Sequence, residues 1–133
     1  MTLNEEERDS IVLYRMQKAK NTLSETKDIV SVGSWYAAAN RLYYACYYAV
    51  SALLIKNGHE AHTHSGVIGQ LGQFFVQTNI ISKEQNQLYR RLFELRQGGD
   101  YSDWIIIEEK DILPLVEPVE QFIQIIEKLI ATK

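Results

Sequence analysis

Two interleaved stripes on one stretch of chain leave little choice of fold. Trp35, Ala39, Leu42, Cys46, Ala49 and Leu53 recur at alternating steps of four and three, the rhythm of one face of an α-helix. Tyr36, Asn40, Tyr43 and Tyr47 keep the same rhythm one residue later, and Tyr44 and Tyr48 carry aromatic surface further round. A helix that is apolar or aromatic over so much of its circumference has to be surrounded, either at the centre of a bundle or by a second chain. Tyrosine suits both places, because its ring buries area while its hydroxyl reaches water or a partner. The stretch is read first as a central core helix, with Tyr36, Tyr43, Tyr44 and Tyr47 as the candidate contribution to a homodimer interface.

The rest of the chain supplies the surroundings. Val12, Met16, Ala19, Leu23 and Val30 mark one face of a helix over about residues 3 to 30, and Thr2 followed by Glu5 has capping-box spacing. Ser34 is placed to cap the tyrosine-rich helix, which runs to about Lys56 and stops before Gly58. A weaker helix over about 65 to 77 turns Val67, Leu71, Phe74 and Phe75 inward. Gly66, Gly69 and Gly72 share one side of it, which predicts close approach of a neighbouring backbone. Ser82 and Gln85 form another capping box, opening a helix through Leu88, Leu92 and Leu95 that the Gly98-Gly99 pair is expected to end. Trp104-Ile105-Ile106-Ile107 has no partner strand and reads as a connector. A last helix over about 109 to 132 buries Leu115, Val119, Phe122, Ile126 and Leu129 or Ile130. Pro114 and Pro118 are expected to kink its first turns or delay its start. The fold class is therefore all-α, an up-and-down bundle of four long helices plus a short one.

Composition narrows the function. A chain of 133 residues, 46% of them hydrophobic, fills one domain over residues 1–133 and one core. Fourteen Lys and Arg against seventeen Asp and Glu give a net charge of −3, which argues against a coat that grips nucleic acid without specificity. One cysteine excludes an internal disulfide and the multi-cysteine zinc patterns, and fits a reducing compartment. The acidic start Glu5-Glu6-Glu7 is unlike a secretory leader, and no apolar run is long enough for a bilayer. A cytoplasmic protein without membrane contact is expected.

The string Ser34-Trp35-Tyr36-Ala37-Ala38-Ala39-Asn40-Arg41-Leu42-Tyr43-Tyr44-Ala45-Cys46-Tyr47-Tyr48-Ala49-Val50 resembles the second helix of small stand-alone prokaryotic HEPN domain proteins. His64-Ser65-Gly66-Val67, Phe74-Phe75-Val76 and Leu95-Arg96-Gln97-Gly98-Gly99-Asp100-Tyr101 follow in the family's order, so the likeness covers about residues 10 to 130. The resemblance implies a bundle of four or five helices, a homodimer, and a small nucleotidyltransferase as partner in a toxin–antitoxin type pair. Active members of the wider family are metal-independent ribonucleases that carry an Arg, four to six intervening residues, and a His. An arginine fork holds a phosphate, and a near-neutral imidazole moves the proton of the attacking 2′-hydroxyl. Here Arg96 stands at the arginine position, while Tyr101, Ser102 and Asp103 occupy those open to the histidine. A tyrosine is a poor general base at neutral pH. The resemblance thus implies a nucleotide- or RNA-associated binding module, non-catalytic or degenerate. The alternatives are a ribonuclease toxin using Arg96 with Tyr101 or Asp103, and a purely structural interaction protein. No cofactor is implied.

Individual residues carry simpler readings beside these. Arg96 shares a helical side with Leu92 and Tyr89 and so needs a partner, either Asp100, Asp103 or a glutamate within the chain or a bound phosphate. Asp100 after two glycines reads as a turn residue that can reach Arg96, and Arg96, Asp100 and Tyr101 form the candidate phosphate site. Arg90 and Arg91 read as solvated helix residues. His59, His62 and His64 lie close in sequence, yet in a short loop that offers no second shell, so no metal is expected. Cys46, inside the apolar stripe, reads as an inert core residue.

Overall fold

The computed structural model describes residues 3–101 and 105–131. Five α-helices follow in order: α1 (Glu5–Ser31), α2 (Trp35–Lys56), α3 (His64–Leu71), α4 (Lys83–Tyr101) and α5 (Glu109–Ala131), with a π-helical segment (Gly72–Val76) continuing α3. No strand occurs among the described residues. The helix α2 lies at the centre, packed against α1, α4, α5 and α3. Its Ala38, Ala39, Ala45, Ala49 and Ala52 are fully buried, and such small side chains let the surrounding helices approach. Around it close Met16 and Ala19 from α1, Leu71 from α3, Tyr89 and Leu92 from α4, and Ile112, Val119, Phe122 and Ile126 from α5.

Helix ends follow local chemistry, with two departures from the sequence reading. Ser82 and Gln85 form the expected box, the backbone N–H of each meeting the other's side-chain oxygen at 3.2 and 3.1 Å. At α1, however, the box is Asn4 with Glu7, at 2.8 and 3.1 Å, not Thr2 with Glu5; Thr2 lies outside the described residues. Ser34 precedes α2 but makes no side-chain cap hydrogen bond. Thr63 caps α3, its Oγ1 accepting from Gly66 N–H at 2.9 Å.

The glycines behave unlike their sequence reading. The helix α4 does not stop at Gly98-Gly99 but runs through both to Tyr101. A Cβ on Gly98 would stand 3.1 Å from Ile105 Cγ1, and one on Gly99 2.9 Å from Ile107 Cδ1. The pair lets the connector lie against the helix barrel, which outweighs the helix-breaking tendency of glycine. Conversely, among the described residues nothing lies within 4 Å of where a Cβ on Gly69 or Gly72 would go, and one on Gly66 would meet the side chains of its own cap residue Thr63 and of Ala61, so no neighbouring backbone among them packs there. Positive φ falls to Gly33 and Gly58, at the α1–α2 turn and just past α2. In α5 both prolines sit inside the helix, which begins at Glu109 and is not delayed to Pro118. The carbonyls that lose a donor, those of Lys110 and Pro114, belong to exposed residues and can take water instead. Glu108 N–H donates to Asp111 at 3.0 Å and fixes that start. No described helix is long and apolar enough to cross a membrane.

Candidate functional site

Four turns of α2, the last turns of α4 and the first residue of α3 converge on one aromatic bay. Arg96 and Asp100, one helical turn apart, project from the same side of α4, and Arg96 Nε meets Asp100 Oδ2 at 3.1 Å. The other end of the fork, Nη2, donates to the Tyr44 hydroxyl at 3.1 Å. Asn40 of α2 donates through Nδ2 to the same Asp100 oxygen at 3.0 Å. Its own Oδ1 accepts from Arg41 Nε and Nη2 at 3.2 and 3.1 Å. Two guanidiniums thereby lie against one ring, Arg41 Cζ at 5.2 Å and Arg96 Cζ at 5.4 Å from the centre of Tyr44.

Behind Tyr44 stands a second layer. Tyr43 is fully buried and stacked on Tyr89, with ring centres 5.7 Å apart, and its hydroxyl lies 2.6 Å from His64 Nδ1. Burial, the largest cause, pushes the Tyr43 hydroxyl up to about 12, only partly opposed by Tyr89 and Arg96. Tyr89 is pushed well up in the same way, chiefly by burial and then by Tyr43. His64 moves in the opposite direction: burial first, then the Arg96 charge, hold its pKa below the usual value near 6.5. The neutral imidazole is therefore favoured, and the contact is O–H···Nδ1 or Nδ1–H···O according to which ring nitrogen carries the proton.

The sequence-derived candidates part company here. Arg96 and Asp100 come together as the sequence allows, and Asp100 does so from within the helix and not from a turn. Tyr101 closes α4, and Asp103, together with Ser102 and Trp104, lies outside the described residues. Of the four interface tyrosines, Tyr43 has no surface left for another chain and is a core residue, a correction forced by its stacking on Tyr89. Tyr44 and Tyr47 are half-buried, and Tyr36 is 46% exposed. The Tyr36 hydroxyl donates to the Ile105 carbonyl at 2.9 Å and accepts from Ile107 N–H at 3.2 Å, tying the connector to α2. Arg90 and Arg91 are exposed, Arg91 near Glu94 at 3.8 Å, and form no patch with Arg96. The three histidines separate. His59 stacks on Phe74 with ring centres 3.8 Å apart, His62 is exposed and His64 faces the tyrosines. Among the described residues no three His, Cys, Asp or Glu side chains gather as metal ligands. Cys46 is fully buried, and burial raises its thiol pKa far above the usual value.

Three members of the bay escaped sequence reasoning: Asn40, Arg41 and His64. Asn40 carried a signal, being the one amide in an otherwise aromatic stripe, where a polar side chain needs a partner. His64 carried none, since its place depends on how α3 docks on α2.

A model of the HEPN domain matches residues 12–129. A UPF0332 protein of Thermotoga maritima is 36% identical over 124 residues, covering 93% of this chain and 94% of its own. The protein named "Putative toxin MJ0142" of Methanocaldococcus jannaschii is 25% identical, covering 89% of this chain and 80% of its own. Among solved structures, TT1696 from Thermus thermophilus superposes with a TM-score of 0.76 over 89% of this chain and 97% of that one, at 13% identity. That likeness supports the helical fold alone.

Proposed function

The chain belongs to the HEPN domain family, and from that premise we propose that it is a non-catalytic nucleotide- or RNA-associated binding module. In this reading it acts as a homodimer with a nucleotidyltransferase partner in a toxin–antitoxin type pair. The observation that carries the binding role is the pair of guanidiniums on the Tyr44 ring. Arg41 is held by an amide oxygen and a ring, and among the described residues no carboxylate lies within ion-pair distance of it. A half-buried cation beside half-buried aromatic rings suits a phosphate with its attached base. The pairing reading draws support from relatives named as toxins and from the family resemblance of the Arg96 to Tyr101 segment. The non-catalytic reading draws support from the residues at the histidine positions, Tyr101, Ser102 and Asp103, and from the engagement of Arg96 by Asp100 within the chain.

A second reading, a metal-independent ribonuclease holding phosphate on Arg96 with Tyr101 or Asp103 in place of histidine, has one observation in its favour. An imidazole, His64, does stand within electrostatic range of Arg96. Arg96 is engaged by Asp100 and the histidine positions hold Tyr101, Ser102 and Asp103, which places this reading second. Incubating wild type and Arg96→Ala with labelled RNA in EDTA separates the two. No cleavage by either, with RNA retention that weakens in Arg41→Ala, is expected; cleavage by wild type and not by Arg96→Ala would establish the nuclease. Neither cleavage nor RNA retention by the wild type would leave a purely structural interaction protein.

A further inference from the structure

A cleft of about 510 Å³ opens between the first half of α1, the second half of α2 and the loop that joins α2 to α3. Only Tyr47 belongs both to it and to the aromatic bay. Two arginines seven residues apart, Arg8 and Arg15, line it from one face of α1. Arg15 is half-buried, and its Nη1 donates to Ser51 Oγ at 2.9 Å. Ser51 is a hydroxyl in a run of Ala, Leu and Val on α2, buried to 8% exposure; its one hydrogen bond among the described residues aims that guanidinium at the cleft. Neither Arg8 nor Arg15 has a carboxylate within ion-pair distance among the described residues. A guanidinium partly withdrawn from water and left without a counter-charge favours an anion from outside.

The opposite wall is built in advance. His59 N–H donates to the Leu54 carbonyl at 2.9 Å, and Gly58, with φ of 79°, turns the chain away from the end of α2. The His59 ring stacks on Phe74, and the Glu60 carbonyl accepts from Gln70 Nε2 at 2.5 Å, so the loop is anchored to α3 and to the π-helical segment after it. The wall therefore presents the flat ring of His59 and the polar His62, backed by Leu54, Ile55 and Val67. One carboxylate, Glu60, stands against the two arginines, leaving the cleft net positive. Volume, aromatic and apolar wall and paired cations together fit one chemistry: a phosphate group on a flat ring body of nucleoside-monophosphate size.

We propose that this cleft is a binding site for a small phosphate ester of a heterocycle, with Arg15 and Arg8 on the phosphate and Tyr47 and His59 against the ring. The site is independent of the bay at Arg96. Calorimetric titration of the full chain with AMP, and with inorganic phosphate as a reference, tests it. AMP is expected to bind, more tightly than phosphate alone, and Arg15→Gln and Arg8→Gln are each expected to weaken it tenfold or more. Arg91→Gln, an exposed charge on α4, serves as control. AMP is also expected to protect His59 and His62 from acylation by diethyl pyrocarbonate, followed by mass spectrometry. Because Arg15 is half-buried and hydrogen-bonded to Ser51, circular dichroism checks its variant, and Arg8→Gln, near the start of α1, carries the test if that variant fails to fold. No binding by wild type, no protection of the two histidines, or AMP affinity that falls with Arg96→Gln and not with Arg15→Gln or Arg8→Gln would overturn the proposal. The last result would put the nucleotide in the aromatic bay.

Discussion

Three side chains on or beside α2 show how placement decides reactivity. Cys46 lies at the middle of the apolar stripe with no exposed surface, and its thiol is pushed up by desolvation alone. The native protein is therefore expected to leave Ellman's reagent unreacted until it is unfolded in guanidinium, when one thiol per chain appears; a stoichiometric reaction in the native state would show that the core opens readily. This inertness was legible in the sequence, since a stripe position fixes burial. Tyr43 and His64 were not legible, because twenty-one residues separate them and only the docking of α3 brings them to 2.6 Å. Their pairing has a consequence for pH. Burial and Arg96 lower the His64 pKa in the folded chain, so between that lowered value and the ordinary 6.5 the unfolded chain binds more protons. Stability then rises with pH through this window; the contribution is fully present above about 6.5 and is lost as pH falls below it. Urea unfolding at pH 7.5 and 5.5 is expected to show acid weakening that is smaller in His64→Gln. Equal weakening in both proteins would assign the effect to other groups.

At the scale of elements, periodicity carried the helices and glycine misled. Each long helix was visible because its apolar positions recur at three and four, and the Ser82–Gln85 box was visible because it is local. The start of α1 held two overlapping boxes, Thr2 with Glu5 and Asn4 with Glu7, and the stronger cap, asparagine, prevailed. Glycine has three uses that a sequence does not distinguish. At Gly33 it supplies a φ of 72°, at Gly98 and Gly99 it admits the connector, and at Gly69 it supplies neither, because nothing lies within 4 Å of where a Cβ would go. Opposite mutational signs follow. Gly69→Ala, inside α3, is expected to stabilise by about 0.5–1 kcal/mol through lower unfolded-chain entropy and better helix propensity. Gly33→Ala is expected to destabilise by about 1–2 kcal/mol, the cost of a left-handed residue with a side chain. Urea midpoints moving in the same direction for both variants would contradict this division. Of the two effects expected of the prolines in α5, the delayed start does not occur: the helix begins at Glu109, and an exposed carbonyl that loses its donor can turn to water.

For the whole molecule, the open question set by the tyrosine-rich helix was whether its second stripe belongs to the core or to another chain, and the two halves of that stripe have different answers. Tyr43 is core, shielded by Tyr89 and Phe93. Tyr44, Tyr47 and Tyr48 keep part of their rings outside, with ring centres 5.8–5.9 Å apart and Lys18 over Tyr48 at 4.8 Å. A contiguous band of half-exposed tyrosines beside Arg41 has the composition that protein interfaces favour. Periodicity alone does not divide such a stripe, because the division depends on where α4 ends and how the connector returns along Gly98 and Gly99. If the band closes a homodimer, wild type sediments as a dimer at micromolar concentration. The double variant Tyr44→Ala, Tyr47→Ala should then weaken association by about thirtyfold or more, the loss expected from about 2 kcal/mol of centrally placed aromatic contact. Its circular dichroism should stay helical, since neither ring is fully inside the bundle. A wild-type monomer at every concentration would remove the homodimer from the proposed function while leaving the Arg41–Tyr44–Arg96 bay open to nucleic acid. A dimer indifferent to the double variant would move the contact to the exposed Leu13 and Tyr14 of α1 or to Ile105, Ile106 and Leu113, which are among the other large apolar side chains that the bundle leaves uncovered.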